Sequence, residues 1–210
     1  MADDAQAADD SRDPLAANPA QDITLDVTAL RVLAHPLRLT LLNRLRQHGP
    51  ATARQLAAQF ALDSGAASYH LRRLAAGGLI EEDHERGNRR DRWWRALHRT
   101  SFHDPAVVPP QERADSRAYT RAVVLAYGDE LRRLSGTVPL LPDDWFDAAV
   151  FSDHTLRLTP DGLNRLKAEL VGVIGKYRDA EAAAGEAGAE GGGAGAAESV
   201  SVQLQAFPLL

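Results

Sequence analysis

A chain of 210 residues can hold one or two domains with a real core, and 44% apolar with 25% charged residues is the composition of a soluble globular protein. The absence of cysteine excludes a disulfide framework and any thiolate metal site. The net charge of −5 is unevenly spread: residues 24–100 carry thirteen arginines against seven acids, while both flanks are acidic, the asymmetry expected of a nucleic-acid binder.

Residues 1–21 are rich in Ala, Asp and Pro with almost no bulky apolar side chains, which predicts a disordered acidic arm. Its charge is opposite to that of a signal peptide, and no apolar run approaches the length of a membrane span, so a cytoplasmic protein with no membrane partner is expected. From Asp22, the positions Leu25, Thr28, Ala29, Val32 and Leu33 form a helical stripe that ends at His35-Pro36, because the residue before proline is pushed out of the α region. Pro36 suits the first turn of a second helix, with Leu37, Leu41, Leu42 and Leu45 facing inward until Gly49-Pro50.

Thr52 is a candidate N-cap for a short amphipathic helix to Gln59, with Leu56 and Phe60 as its apolar stripe. Asp63 or Ser64 can cap the next helix, on which Ala67, Leu71 and Leu74 fall at i, i+4 and i+7 and share one face. Stepping about 100° per residue from Ala67 puts Gly65 and Tyr69 at about 160° and Arg72 at about 140°, opposite the core. Ala66, Ser68, His70 and Arg73 flank that outward face, and Ser64 opens the helix. Small residues allow close backbone approach, while hydroxyl, phenol and guanidinium groups can meet base edges or phosphates. Thr52 and Arg54, at the start of the preceding helix, complete the candidate DNA contacts there.

Gly77-Gly78 stops the helix through a left-handed cap, and Leu79-Ile80 opens a strand that returns through Trp93 and Trp94. The turn Glu85-Arg86-Gly87-Asn88-Arg89-Arg90 supplies residues tolerant of positive φ, and Arg86, Asn88, Arg89, Arg90 and Arg92 give this hairpin a polar, basic tip suited to a duplex backbone.

The run from Ala34 to Leu97 is where a family resemblance enters. LAHPLRLTLLNRL, then SYHLRRLAAGGLIEE, then an Arg-rich hairpin ending in Trp-Trp, resembles the winged helix-turn-helix of the ArsR/SmtB bacterial repressors, and more narrowly their cysteine-poor actinobacterial members. The resemblance covers about a third of the chain. It implies a winged helix-turn-helix head over residues 22–100 that binds double-stranded DNA as a homodimer. It does not carry over metal sensing, because the family's sensing cysteines are missing.

After the Pro-containing linker SFHDPAVVPP, residues 111–135 read as a long helix with a stripe of Ala114, Ala118, Tyr119, Ala122, Leu125, Ala126, Leu131 and Leu134. This is expected to be a dimerisation helix; capping its own domain is the alternative. Residues 143–210 are expected to form a small C-terminal α/β module. Asp143 or Asp144 caps a turn bearing Trp145 and Phe146. A strand over Ala149–Thr159 places Val150, His154, Leu156 and Leu158 on one parity, and a helix from Pro160 carries Leu163, Leu166, Leu170, Val173, Ile174 and Tyr177. A mobile linker over residues 180–197 leads to SVSVQLQAFPLL, whose alternation predicts a strand pairing back near His154–Leu158. The fold class is thus α+β.

No phosphate loop and no Ser-His-Asp or Cys-His arrangement is present, so no catalytic residue, no cofactor and no enzyme activity is expected. His98, His103 and His154 could meet across a dimer, but no pair has i, i+4 helical spacing, and no metal site is assigned. His70 lies about 60° off the core face, as a partly buried polar group or a phosphate donor. Trp93, Trp94, Trp145, Phe146 and Phe151 read as core or as the lining of an apolar pocket that could take a small-molecule effector. The expected function is a homodimeric transcriptional repressor on a pseudo-palindromic operator; the alternative is a winged-helix protein-interaction or dimerisation module without sequence-specific DNA binding.

Overall fold

The computed structural model describes residues 21–86, 91–186 and 198–209. The described chain divides into two compact units, one within Ala17–Ala149 and one taking in Val150–Leu210.

The first unit opens with β1 (Asp22–Thr24), α1 (Val27–Leu33) and α2 (Pro36–His48). Asp26 caps α1 by accepting the Ala29 N–H at 2.7 Å, satisfying one of the donors that a helix start leaves open. The helix expected from Asp22 therefore begins five residues later. Residues 22–24 instead pair in parallel with β5 (Thr100–Phe102), in the register Asp22↔Thr100 to Thr24↔Phe102. A three-residue strand whose partner lies some eighty positions away leaves no local periodicity to read.

Pro36 is the first residue of α2, where its missing N–H costs nothing, and Gly49 closes the helix at φ 75°. Then come β2 (Ala51–Thr52), α3 (Ala53–Gln59), α4 (Ser64–Ala76), β3 (Ile80–Glu82) and β4 (Trp93–Ala96). The last two form an antiparallel hairpin, Ile80↔Ala96 to Glu82↔Trp94, and β2 adds to the other edge of β4 through Ala51↔Trp94. Gly78, at φ 68°, takes the left-handed conformation that turns the chain from α4 into β3. Its neighbour Gly77 is needed for space: a Cβ there would sit 3.1 Å from Val32 Cγ2 on α1.

Three-ten turns at Pro105–Val107 and Pro110–Glu112 lead into α5 (Arg113–Ser135). This helix packs on α1 and α2 of its own unit, burying Ser116, Ala122 and Ala126, while Ala114, Ala118, Leu125 and Leu131 of the expected dimer stripe are exposed. The small residues thus serve a close approach within the chain, and the outer face of α5 carries Val124, Leu125 and Leu131. Arg31 on α1 and Asp115 on α5 add an ion pair at 3.0 Å.

The core is one cluster whose largest fully buried side chains are Leu30, Leu33, Leu41, Leu42, Leu56, Leu71, Leu74, Leu79 and Ile80, each contributing about 1.5–3 kcal/mol by leaving water. Beneath α5, Arg46 donates from Nε to the His98 carbonyl at 2.9 Å and from Nη2 to Ser101 Oγ at 2.7 Å. Burial pushes its pKa down to about 10, against the opposing pull of Tyr119, Asp22 and Tyr127. The Tyr119 phenol is pushed up to about 12 by the same burial. One polar knot therefore fastens α2 to the β5 edge.

A three-ten turn (Val138–Leu140) and the short helix α6 (Asp143–Ala148) end the first unit, with Trp145 and Phe146 exposed. In the second unit α7 runs Pro160–Glu186, so the linker expected from residue 180 is helical through Glu186, and its remainder lies outside the described residues. The two strands expected over 149–159 and near the C-terminus are not formed among the described residues: both segments run without strand pairing. Phe151, expected as core or pocket lining, is exposed as well. Alternation sets which face a strand would bury, but a strand forms only when its backbone groups find a ladder partner. The arm expected over 1–21 lies outside the described residues except at Gln21.

Candidate nucleic-acid interface

The candidate interface is built from α3, α4 and the β3–β4 hairpin. Thr52 starts α3 with a reciprocal capping box: its hydroxyl accepts the Gln55 N–H, and the Gln55 side chain accepts the Thr52 N–H at 2.8 Å. Thr52 is only 4% exposed, so its hydroxyl serves to fix the start of α3, while the residue itself stands at the wall of the groove beside α4. A tight turn through Ala61, at φ 51°, leads to Asp63, which caps α4 by accepting the Gly65 N–H at 2.6 Å. Ser68 donates its hydroxyl to the Ser64 carbonyl at 2.8 Å.

On α4 the residues Ala67, Leu71 and Leu74 are completely buried, which aims the opposite face outward. Gly65, Tyr69, Arg72 and Arg73 are exposed along that face, with Ala66, Ser68 and His70 half-buried beside it. On one flank, an open groove between α4 and the hairpin is lined by Ser64, Ser68 and Arg72 from the helix, Thr52, Ala53 and Arg54 from the start of α3, and Glu82, Asp91, Arg92 and Trp94 from the hairpin. Acids hold the arginines on this side: Arg54 lies 3.6 Å from Asp91, Arg92 lies 3.8 Å from Glu82, and Arg86 lies 3.6 Å from Asp83. Asn88, Arg89 and Arg90 fall outside the described residues.

The other flank of α4 meets the start of α2. The His70 ring stacks at 4.7 Å, tilted, on the His35 ring and edge-on at 5.3 Å to Tyr69. Burial, then the nearby Arg38 guanidinium, holds the His35 imidazole below its ordinary pKa; burial, then His35 and Arg38, does the same for His70. Burial and Arg73 lower the Arg38 guanidinium in turn. Reading the sequence missed His35 and Arg38 as parts of this surface. The His-Pro-Leu-Arg entry to α2 was the available signal, yet it spoke only of where a helix begins.

Of the scattered histidines, His103 Nε2 lies 2.8 Å from Ser116 Oγ and edge-on to Tyr119. Among the described residues no three His, Asp or Glu side chains converge as metal ligands, and no helix is long and apolar enough to cross a membrane.

A capped helix, a tight turn and a second helix presenting an exposed polar face define a helix-turn-helix. A protein-family model described as a helix-turn-helix domain matches residues 33–83, from the end of α1 through β3. No curated protein matches the chain. The chain carries a helix-turn-helix domain, and with it the hallmark of a DNA-binding transcription regulator.

Proposed function

We propose that the protein is a homodimeric winged helix-turn-helix regulator of the ArsR/SmtB type, which represses transcription by seating two α4 helices in successive major grooves of a pseudo-palindromic operator. The observation that carries this reading is the outward face of α4, where Tyr69, Arg72 and Arg73 stand exposed opposite a fully buried Ala67, Leu71 and Leu74. The β3–β4 hairpin is the wing, its arginines meeting flanking phosphates. Dimerisation uses the outer face of α5, where Val124, Leu125 and Leu131 are exposed. The protein acts in the cytoplasm without catalysis or a bound metal, and any effector would be a small molecule.

Footprinting of the purified protein on its own promoter, with titrations on that duplex and on a scrambled one, tests the reading. Protection of two half-sites one helical turn apart is expected. Equal or absent affinity for both duplexes would transfer the chain to the alternative class, a protein-interaction module. The apolar outer face of α5 is the feature that supports that class.

A further inference from the structure

The cluster where α4 meets α2 is cationic, and among the described residues no acid acts on His35, Arg38 or His70. His35 precedes α2, Arg38 lies in its first turn, and Tyr69, His70 and Arg73 come from α4. The Nδ1 atoms of His35 and His70 and the Nε of Arg38 are shielded from solvent without a hydrogen-bond partner. Desolvated nitrogens left unmatched in this way cost on the order of 1–3 kcal/mol each, more when charged, and in the protonated ring every imidazole nitrogen is a donor that an acceptor oxygen satisfies. The charged or titratable groups acting on the rings are Arg38 from α2 and the partner ring itself, while Arg73 and Tyr69 from α4 act on Arg38. Arg31 of α1 is held by Asp115. The contrast with the hairpin flank is sharp, since there Arg54, Arg86 and Arg92 each face a carboxylate of this chain.

Resting on the regulator reading above, we infer that His35, Arg38, His70 and Arg73 form a phosphate-binding site for the DNA strand bordering the major groove on the α2 side of α4. A helix in the major groove has a phosphate backbone on each side. The hairpin serves one strand, and this cluster serves the other. A guanidinium is the group suited to that contact, offering paired donors to phosphate oxygens.

The histidines give the contact a pH dependence. In the free protein, burial and Arg38 keep both rings neutral near pH 7. A docked phosphate favours the charged form of whichever ring it faces, so binding takes up a proton. By linkage, affinity rises as pH falls through the interval between the depressed free-state pKa and the higher bound-state one. One proton per protomer is the ceiling, because a second charge would sit 4.7 Å from the first.

Titrations of the full-length protein on its own promoter duplex and on a scrambled duplex of equal length, at several salt concentrations and at pH 8 and pH 6, test this. Arg38→Gln should weaken binding roughly tenfold on both duplexes and reduce the salt slope by about one for each phosphate no longer neutralised. Arg38→Lys should restore the slope, which a merely misfolded head would not allow. The wild type should bind more tightly at pH 6 than at pH 8, and the double variant His35→Gln/His70→Gln, melting as the wild type does, should lose most of that gain. Unchanged affinity and salt slope in Arg38→Gln, or an undiminished pH effect in the double histidine variant, would overturn the site while leaving the regulator intact. Wild type that bound neither duplex would overturn the regulator reading itself.

Discussion

The two units of this chain contain equally regular helical stripes with opposite fates. On α4, Ala67, Leu71 and Leu74 are fully buried. On α7, Leu170, Val173 and Tyr177 repeat at similar spacing and remain exposed, and no described residue of Val150–Leu210 is buried. Periodicity states which side of a helix is prepared for burial. Whether anything covers that side depends on what other elements bring to it, and α4 has α1, α2, α3 and β3 in contact.

The largest effect expected from this contrast is on stability. Leu71→Ala should cost about 2–5 kcal/mol in urea unfolding, the range for a core leucine whose cavity cannot collapse fully. Leu170→Ala, 39% exposed, should stay within about 0.5 kcal/mol at low protein concentration. A comparable loss at both sites would break the comparison, and a loss at Leu170 that grew with concentration would mean that a second copy covers α7.

Arg72→Ala sharpens it on the binding side. The substitution should leave the melting temperature near that of the wild type, cost on the order of 1–3 kcal/mol on the correct duplex, and flatten discrimination at one or two base pairs per half-site. Equal loss on operator and scrambled duplex would reassign Arg72 to phosphate contact.

A third substitution separates the two faces of α5. Leu125→Asp should weaken dimerisation by about 1 kcal/mol or more, read by sedimentation at micromolar concentration, with the head still folded. Ala122→Asp cannot make this test: Ala122 is buried where α5 packs on its own unit, and a charge there should destabilise the head. Wild type sedimenting as a monomer would remove the dimer from the proposal.

The smallest effect concerns the paired arginines of the hairpin flank. Asp91→Asn releases Arg54 from an exposed ion pair, so DNA affinity should rise by no more than about 1 kcal/mol, equally on both duplexes, with a steeper salt dependence. Weaker binding in this variant would show that Asp91 positions Arg54 for contact rather than competing with the phosphate for it.

Much of the head was legible in the linear chain because its signals are local. Proline at the start of α2, the Thr52 cap, the Ala67-Leu71-Leu74 stripe and the Gly77-Gly78 stop each lie within a few residues of what they control. The exposed face of α4 followed from the same arithmetic. The part Thr52 plays was less legible, because a hydroxyl at a helix start can face either its own backbone or a ligand, and the reciprocal bond with Gln55 shows it turned to the backbone. The C-terminal alternation was over-read for a related reason: apolar parity was present at Val200, Val202 and Leu204, yet no neighbouring strand among the described residues supplies the ladder.

The sequence by itself determined the order of helices in the head, their caps and stops, and which residues of α4 face outward, since side-chain period and backbone chemistry are properties of neighbouring residues. Only the tertiary structure decided that Asp22–Thr24 pairs with Thr100–Phe102, that Arg46 is half-buried beneath α5, that the small residues of α5 serve its own chain, and that His35 and Arg38 stand beside His70 and Arg73. Each of these joins residues far apart in the chain. Such contacts depend on how preformed elements stack on one core, and no local pattern encodes them.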